Sequence, residues 1–192
     1  MKTNIEFPVI AFQSQKKWRD WLLKNYNKAD GVWLRLYKKD SSVKSINHDQ
    51  ALDEALCFGW IDGQAKSYDE QSYLQKFTPR RKRSIWSKRN TEKVQQLIDE
   101  GKMHSSGLAE IKAAKADSRW EKAYDSPANM KVPEDFLKEL SQKPEALEFF
   151  NSLNKTNKFS IAYRIQTAKK QETRQKRIKA IIEMMEQNKK FY

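Results

Sequence analysis

Apolar residues recur at helical spacing near the start of the chain. Trp18, Trp21, Leu22 and Tyr26 fall on one face, and Ser14 precedes them as an N-cap, which predicts a helix through Tyr26. Asp30-Gly31 breaks it. From Val32 the period changes to two. Val32, Leu34 and Leu36 point one way and Trp33, Arg35 and Tyr37 the other, the pattern of a half-buried strand over 32–39. A polar loop follows over 41–46. Asn47 then caps a helix with Leu52, Ala55 and Leu56 as its stripe, Gln50 placed for a capping box and Gly59 for a left-handed stop. Trp60 to Tyr68 and Tyr73 to Thr78 read as an antiparallel hairpin, with Asp69-Glu70-Gln71-Ser72 as turn and Tyr73 and Phe77 on one side. Gly63, inside the first of these strands, would let a backbone or ligand approach the sheet closely.

Beyond Pro79 the strand period disappears. A helix starting at Ser87 or Asn90 turns Val94, Leu97 and Ile98 inward and stops at Gly101. A shorter one over 106–116 turns Leu108 and Ile111 inward, and a turn over 119–124 follows. Asp125-Ser126-Pro127-Ala128-Asn129 is the best linker. Pro133 and Pro144 occupy first-turn positions of helices that bury Phe136, Leu137 and Leu140, then Leu147 and Phe150. A helix over 157–169 buries Phe159, Ala162 and Tyr163. The last, over 173–186, carries Ile178, Ile181, Ile182 and Met185 as its stripe, with Thr173 as its cap. The expected fold class is α+β: a small antiparallel sheet with helices on one face, followed by an all-helical C-terminal module. The expected domains are 1–124 and 130–192.

Composition narrows the class. Hydrophobic residues make up 38% of the 192, enough for a core, and no apolar run is long enough for a signal peptide or a membrane span. A single cysteine, Cys57, allows no internal disulfide, so a cytoplasmic location is expected. Net charge is +13 and uneven: residues 79–93 hold seven cations against one acid, and residues 154–192 hold eleven against three. Such blocks attract phosphates, nucleic acid or anionic lipid, although lysine-rich solvated faces give the same count.

The first block carries the candidate chemistry. Arg80, Arg81, Lys82 and Arg83 follow a strand and precede a helix start, where free amides favour an anion and guanidinium groups recognise phosphate or carboxylate in a plane. Ser84, Ser87 and Asn90 can donate or cap, Lys88 adds charge, and Trp86 offers a face for stacking a base. Asp62 could act as a general base or hold an arginine in place. The candidate ligand site is therefore Asp62, Arg80, Arg81, Arg83, Ser84, Trp86, Ser87, Lys88 and Asn90. The same residues also fit a plain structural set, with Ser87 capping, Trp86 in the core and the arginines paired to acids. Cys57 reads as a buried, inert thiol. His48 and His104 lack metal-ligand spacing, and there is no phosphate-binding glycine loop, so neither metal nor cofactor is expected. In the second block, Lys169, Lys170, Arg174, Lys176, Arg177 and Lys179 could lie on nucleic acid or on an anionic membrane surface, or simply face solvent.

Three stretches resemble the YdeI/OmpD-associated family, whose name carries bacteriocin protection. They are Glu54 to Gly63; Phe77 to Arg81 with Ser84, Trp86, Ser87 and Asn90; and Val132-Pro133 through Pro144-Glu145-Ala146 to Glu172-Thr173-Arg174 and Arg177-Ile178. The resemblance implies an α+β first part and a small helical C-terminal module, and it carries over no catalytic residue. The chain departs from the family pattern at Ser118, where glycine is common. The leading reading is a non-enzymatic, cytoplasmic protein that binds an anionic ligand, either a phosphate-bearing metabolite or nucleic acid, in bacteriocin or stress protection. Two alternatives stand beside it: an enzyme on a small anionic substrate with Asp62 as acid/base, and a protein-interaction module. The oligomeric state is not fixed by the sequence.

Overall fold

A computed structural model describes residues 7–125, 129–168 and 170–192. One unit takes the described residues up to Trp86 together with Asn90–Lys122, and the other takes Ser87–Arg89 with Ala123–Tyr192. Of the expected linker, Ser126, Pro127 and Ala128 lie outside the described residues, as does Lys169.

In the first unit, β1 (Val9–Ile10) and α1 (Gln15–Asn25) precede β2 (Val32–Tyr37), and α2 (His48–Cys57) leads into the hairpin β3 (Trp60–Ser67) and β4 (Ser72–Pro79). Ser14 caps α1 by accepting from the Lys17 amide. The Asn47–Gln50 capping box is complete in α2, each side chain taking the other residue's amide at 2.9 and 3.0 Å. The strand order is β1-β2-β4-β3. Pairing of β2 with β4 and of β3 with β4 is antiparallel as expected, but β1 joins the edge in parallel, so the sheet is mixed. Gly63 sits in a register break between Asp62 and Ala65. An added Cβ there would find nothing nearer than 3.9 Å, so the glycine marks the bulge rather than a close approach.

Register puts Val32, Leu34 and Leu36 opposite Phe77, Gln75 and Tyr73 on the sheet face that meets α1 and α2. Trp18 is fully buried against that face. Its ring lies 5.8 Å from Phe77 and edge-on to Trp60 at 6.5 Å, and its indole N–H donates to the Ala51 carbonyl at 3.0 Å. Each such ring pair is worth about 0.5–1.5 kcal/mol beyond its burial.

Helix α3 (Lys88–Asp99) buries Val94 and Leu97, and α4 (Ser105–Ala116) buries Gly107, Ile111 and Ala114. Leu108, expected inward, is 44% exposed. Gly107 is the contact residue instead, because its lack of a side chain lets α4 lie directly on the Cys57 carbonyl. His104, read as a loop residue, caps α4 by accepting from the Ser106 amide at 3.2 Å.

The second unit contains α5 (Glu134–Leu140), α6 (Pro144–Ser152), α7 (Lys155–Gln166) and α8 (Gln171–Glu186). Phe136, Leu140, Phe150, Ile161, Ile165, Ile178, Ile181 and Met185 form its core. The α8 stripe is as expected, but the helix begins before Thr173, with Lys170 at the cap position. Pro144 takes the first helical position, and Pro133 sits one residue earlier, as the cap of α5. Leu137 is exposed, and Phe159 and Tyr163 are only half-buried; α7 packs through Ile161, Ala162 and Ile165.

Candidate functional site

The segment after β4 is pinned at several points. The Arg80 amide donates to the Gly59 carbonyl at 2.9 Å, and the Ser84 amide closes a tight turn on the Arg81 carbonyl at 2.8 Å. Arg119, 7% exposed, is held by both Asp117 oxygens at 2.7 and 2.8 Å and donates to the Ser84 carbonyl at 2.9 Å. Ser118 in the same turn has φ 60, the left-handed region where glycine is at ease.

The four cations of the turn do not share one fate. Arg80 folds inward, its guanidinium 3.6 Å from the Trp86 ring centre and reaching Ser84 Oγ and the Ile85 carbonyl at 3.4 Å. Arg81 and Arg83 stay exposed and line one groove with Ser84, Thr78, Ile61 and Ile85. No carboxylate lines that groove, and neither arginine has an ion pair among the described residues.

Several expected site residues lie elsewhere. Trp86 is 1% exposed between Arg80 and Trp120, whose ring is 5.1 Å away, so no face remains for a base. Ser87 and Lys88 group with the second unit, where Ser87 bridges Tyr124 and Lys88 pairs with Asp125 at 2.7 Å. Asn90 is 9% exposed. Among the described residues Asp62 orients no arginine: its Oδ2 meets His48 Nε2 at 3.2 Å, and it does not line the groove that holds Arg81 and Arg83. His48 was missed as its partner because the contact depends on how α2 lies over β3, which residue spacing does not encode.

Residues 10–110, more than half of the chain, match the family described as Domain of unknown function (DUF8412). The chain belongs to the DUF8412 family. Residues 129–188 match a second family model, described as Bacteriocin-protection, YdeI or OmpD-Associated. No curated protein and no solved structure matches the chain. The Glu54–Gly63 and Phe77–Asn90 stretches lie within the DUF8412 region, and the third resembling stretch lies within the OmpD-associated one. The cationic turn of this DUF8412 protein therefore sits in a region whose family description names no activity.

Cys57, in the same region, is buried, and that burial with Glu54 nearby pushes its thiol up to about 11. Among the described residues, no group of three or more His, Cys, Asp or Glu could hold a metal ion, and no helix is long and apolar enough to cross a membrane.

Proposed function

We propose that the groove beside the β4 turn binds the phosphate group of a metabolite or of nucleic acid, through Arg81 and Arg83 with the hydroxyls of Ser84 and Thr78. The observation that carries this reading is the pairing of two exposed guanidinium groups on one groove of about 570 Å³ that no acid among the described residues lines. Guanidinium groups favour phosphate because they offer planar, paired donors. The pinned turn reduces the ordering cost of binding, since Arg119 and Arg80 already fix its backbone. Arg80 and Trp86 are the scaffold of this site rather than its surface. The proposed setting is a cytoplasmic, non-enzymatic binder, with bacteriocin or stress protection as the role suggested by the family description matched at residues 129–188.

The test is anisotropy of a labelled single-stranded oligonucleotide, with calorimetry on a phosphate monoester, for the wild type and the Arg81→Ala/Arg83→Ala double variant. The double variant should bind the strand more weakly and lower the slope of log affinity against log salt by about 1.4, two contacts at about 0.7 each. Equal affinity and an unchanged slope in the double variant would sink the proposal.

A further inference from the structure

The second unit carries a groove of about 520 Å³ that the reading above does not use. Its lining is unlike a solvated helix face. Four rings contribute, from Phe159, Tyr163, Phe191 and Tyr192, together with the guanidinium groups of Arg164 and Arg177. Among the described residues, no Asp or Glu side chain lines it. From the sequence, Phe159 and Tyr163 belong in the core, yet α7 buries Ile161, Ala162 and Ile165 and leaves these two rings half-exposed.

The groove is built rather than incidental. The Tyr163 ring is braced edge-on by Tyr124 at 4.9 Å, and the Phe159 ring lies tilted against it at 5.8 Å. The Tyr192 amide and carbonyl both bond the Asn157 side chain at 3.3 Å, and Asn157 is 1% exposed, which ties Phe191-Tyr192 to α7. Arg164 lies over Phe191 at 4.2 Å, with its edge donors unused by any hydrogen bond among the described residues. Arg177 is fixed by donating to the Arg164 carbonyl and to Thr167 Oγ1. Burial raises the Tyr163 phenol above its ordinary range, so it remains a neutral donor.

We propose that this groove binds a nucleotide, with the base against the rings of Tyr163 and Phe191 and the phosphate on Arg164 and Arg177. The rings offer stacking surface, and the two guanidinium groups offer charge-assisted donors. A nucleotide satisfies both, and the volume lies within the ordinary range for small-molecule sites. The nucleotide can arrive free or as one unit of a single strand, and the chemistry of recognition is the same.

The experiment uses the full chain and titrates AMP, adenosine, inorganic phosphate and a short single-stranded oligonucleotide, by calorimetry and by amide shift mapping. AMP should bind and perturb residues of α7 and α8, with adenosine and phosphate each much weaker. Arg164→Ala, at an exposed position, should weaken binding roughly tenfold or more, the value of one charge-assisted contact. Phe191→Leu should weaken AMP while sparing phosphate. If, in the Arg81→Ala/Arg83→Ala background, only the oligonucleotide binds and Arg164→Ala abolishes that binding, the strand is the source and the proposal stands. Absence of binding by AMP and oligonucleotide alike, or binding unmoved by Arg164→Ala and Phe191→Leu, overturns it. In the Arg81→Ala/Arg83→Ala background, which disables the turn groove, AMP should still bind and shift residues of α7 and α8, so this site and the turn groove fail separately.

Discussion

Replacing Gly107 with alanine tests how tightly α4 is fixed on the first unit. A Cβ on Gly107 would lie 2.2 Å from the Cys57 carbonyl oxygen and 2.8 Å from both the Cys57 carbonyl carbon and Met103 Cε. The methionine tip can swing away; the backbone carbonyl cannot, so α4 must retreat by about 1 Å to restore an ordinary contact. That retreat stretches two hydrogen bonds at the same place, His104 N–H to the Cys57 carbonyl at 3.0 Å and Ser106 Oγ to the Phe58 carbonyl at 2.9 Å. Overpacking costs about 1–3 kcal/mol and each strained bond about 0.5–1.5, against a helix-propensity gain of about 1 for alanine. The net expectation is a loss of about 1–5 kcal/mol, with a centre of about 3, or roughly 1 M in urea midpoint. All six tryptophans, Trp18, Trp21, Trp33, Trp60, Trp86 and Trp120, belong to the first unit, so tryptophan fluorescence during urea unfolding reads it directly. A variant as stable as the wild type, or more so, would mean that propensity governs α4 and that the contact with Cys57 is not fixed.

Two further perturbations have definite signs. Ser118→Gly should raise the stability of the first unit by up to about 1 kcal/mol, because glycine removes the left-handed strain at φ 60 while adding a smaller unfolded-state entropy cost; a clear loss in urea unfolding would refute the strain. In the second unit, the hydrogen bonds from Arg174 at 2.7 and 2.8 Å hold the Asp135 carboxyl below its ordinary range. A lowered folded value means that the pair stabilises the protein above the ordinary value of 3.8 and that this contribution is lost as pH falls through the folded value. The stability gap between wild type and Arg174→Met, followed by near-UV dichroism of the tyrosines, should therefore close on acidification below that point. A gap constant with pH would contradict it.

Local signals in the sequence translated directly into structure. The Asn47–Gln50 box, the Ser14 cap and the two-residue alternation from Val32 each depend on neighbours within four positions, and each appears where the pattern places it. Strand β1 did not, because two residues carry no period; Val9 and Ile10 become a strand only by pairing with Trp33 and Leu34. Leu108 and Leu137 show a different limit. Periodicity identifies a stripe of large apolar residues, but the tightest contact of α4 is made by Gly107, which no hydrophobicity scale marks. Ser118 shows a third limit, since nothing in its immediate neighbours marks its backbone conformation. Its φ of 60 lies in the left-handed region where glycine is at ease.

The candidate site divides along the same line between local and distant information. Arg80, Arg81, Lys82 and Arg83 look equivalent in sequence, since each is a cation in one run. Their fates diverge because only the first leaves β4 directed at the buried Trp86, where a planar cation over a ring offsets part of the cost of leaving water. Once Arg80 is inside, the turn from Arg81 to Ser84 must lie outside, and it closes on itself through the Ser84 amide. Arg81 and Arg83 stand two positions apart on that turn and line the same groove as a consequence. A charge count predicts the attraction of anions to this segment but not which guanidinium groups can reach one. An Arg80→Ala variant that lost binding would accordingly report a collapsed turn, whereas loss in Arg81→Ala or Arg83→Ala with an unchanged urea midpoint would report the contact itself.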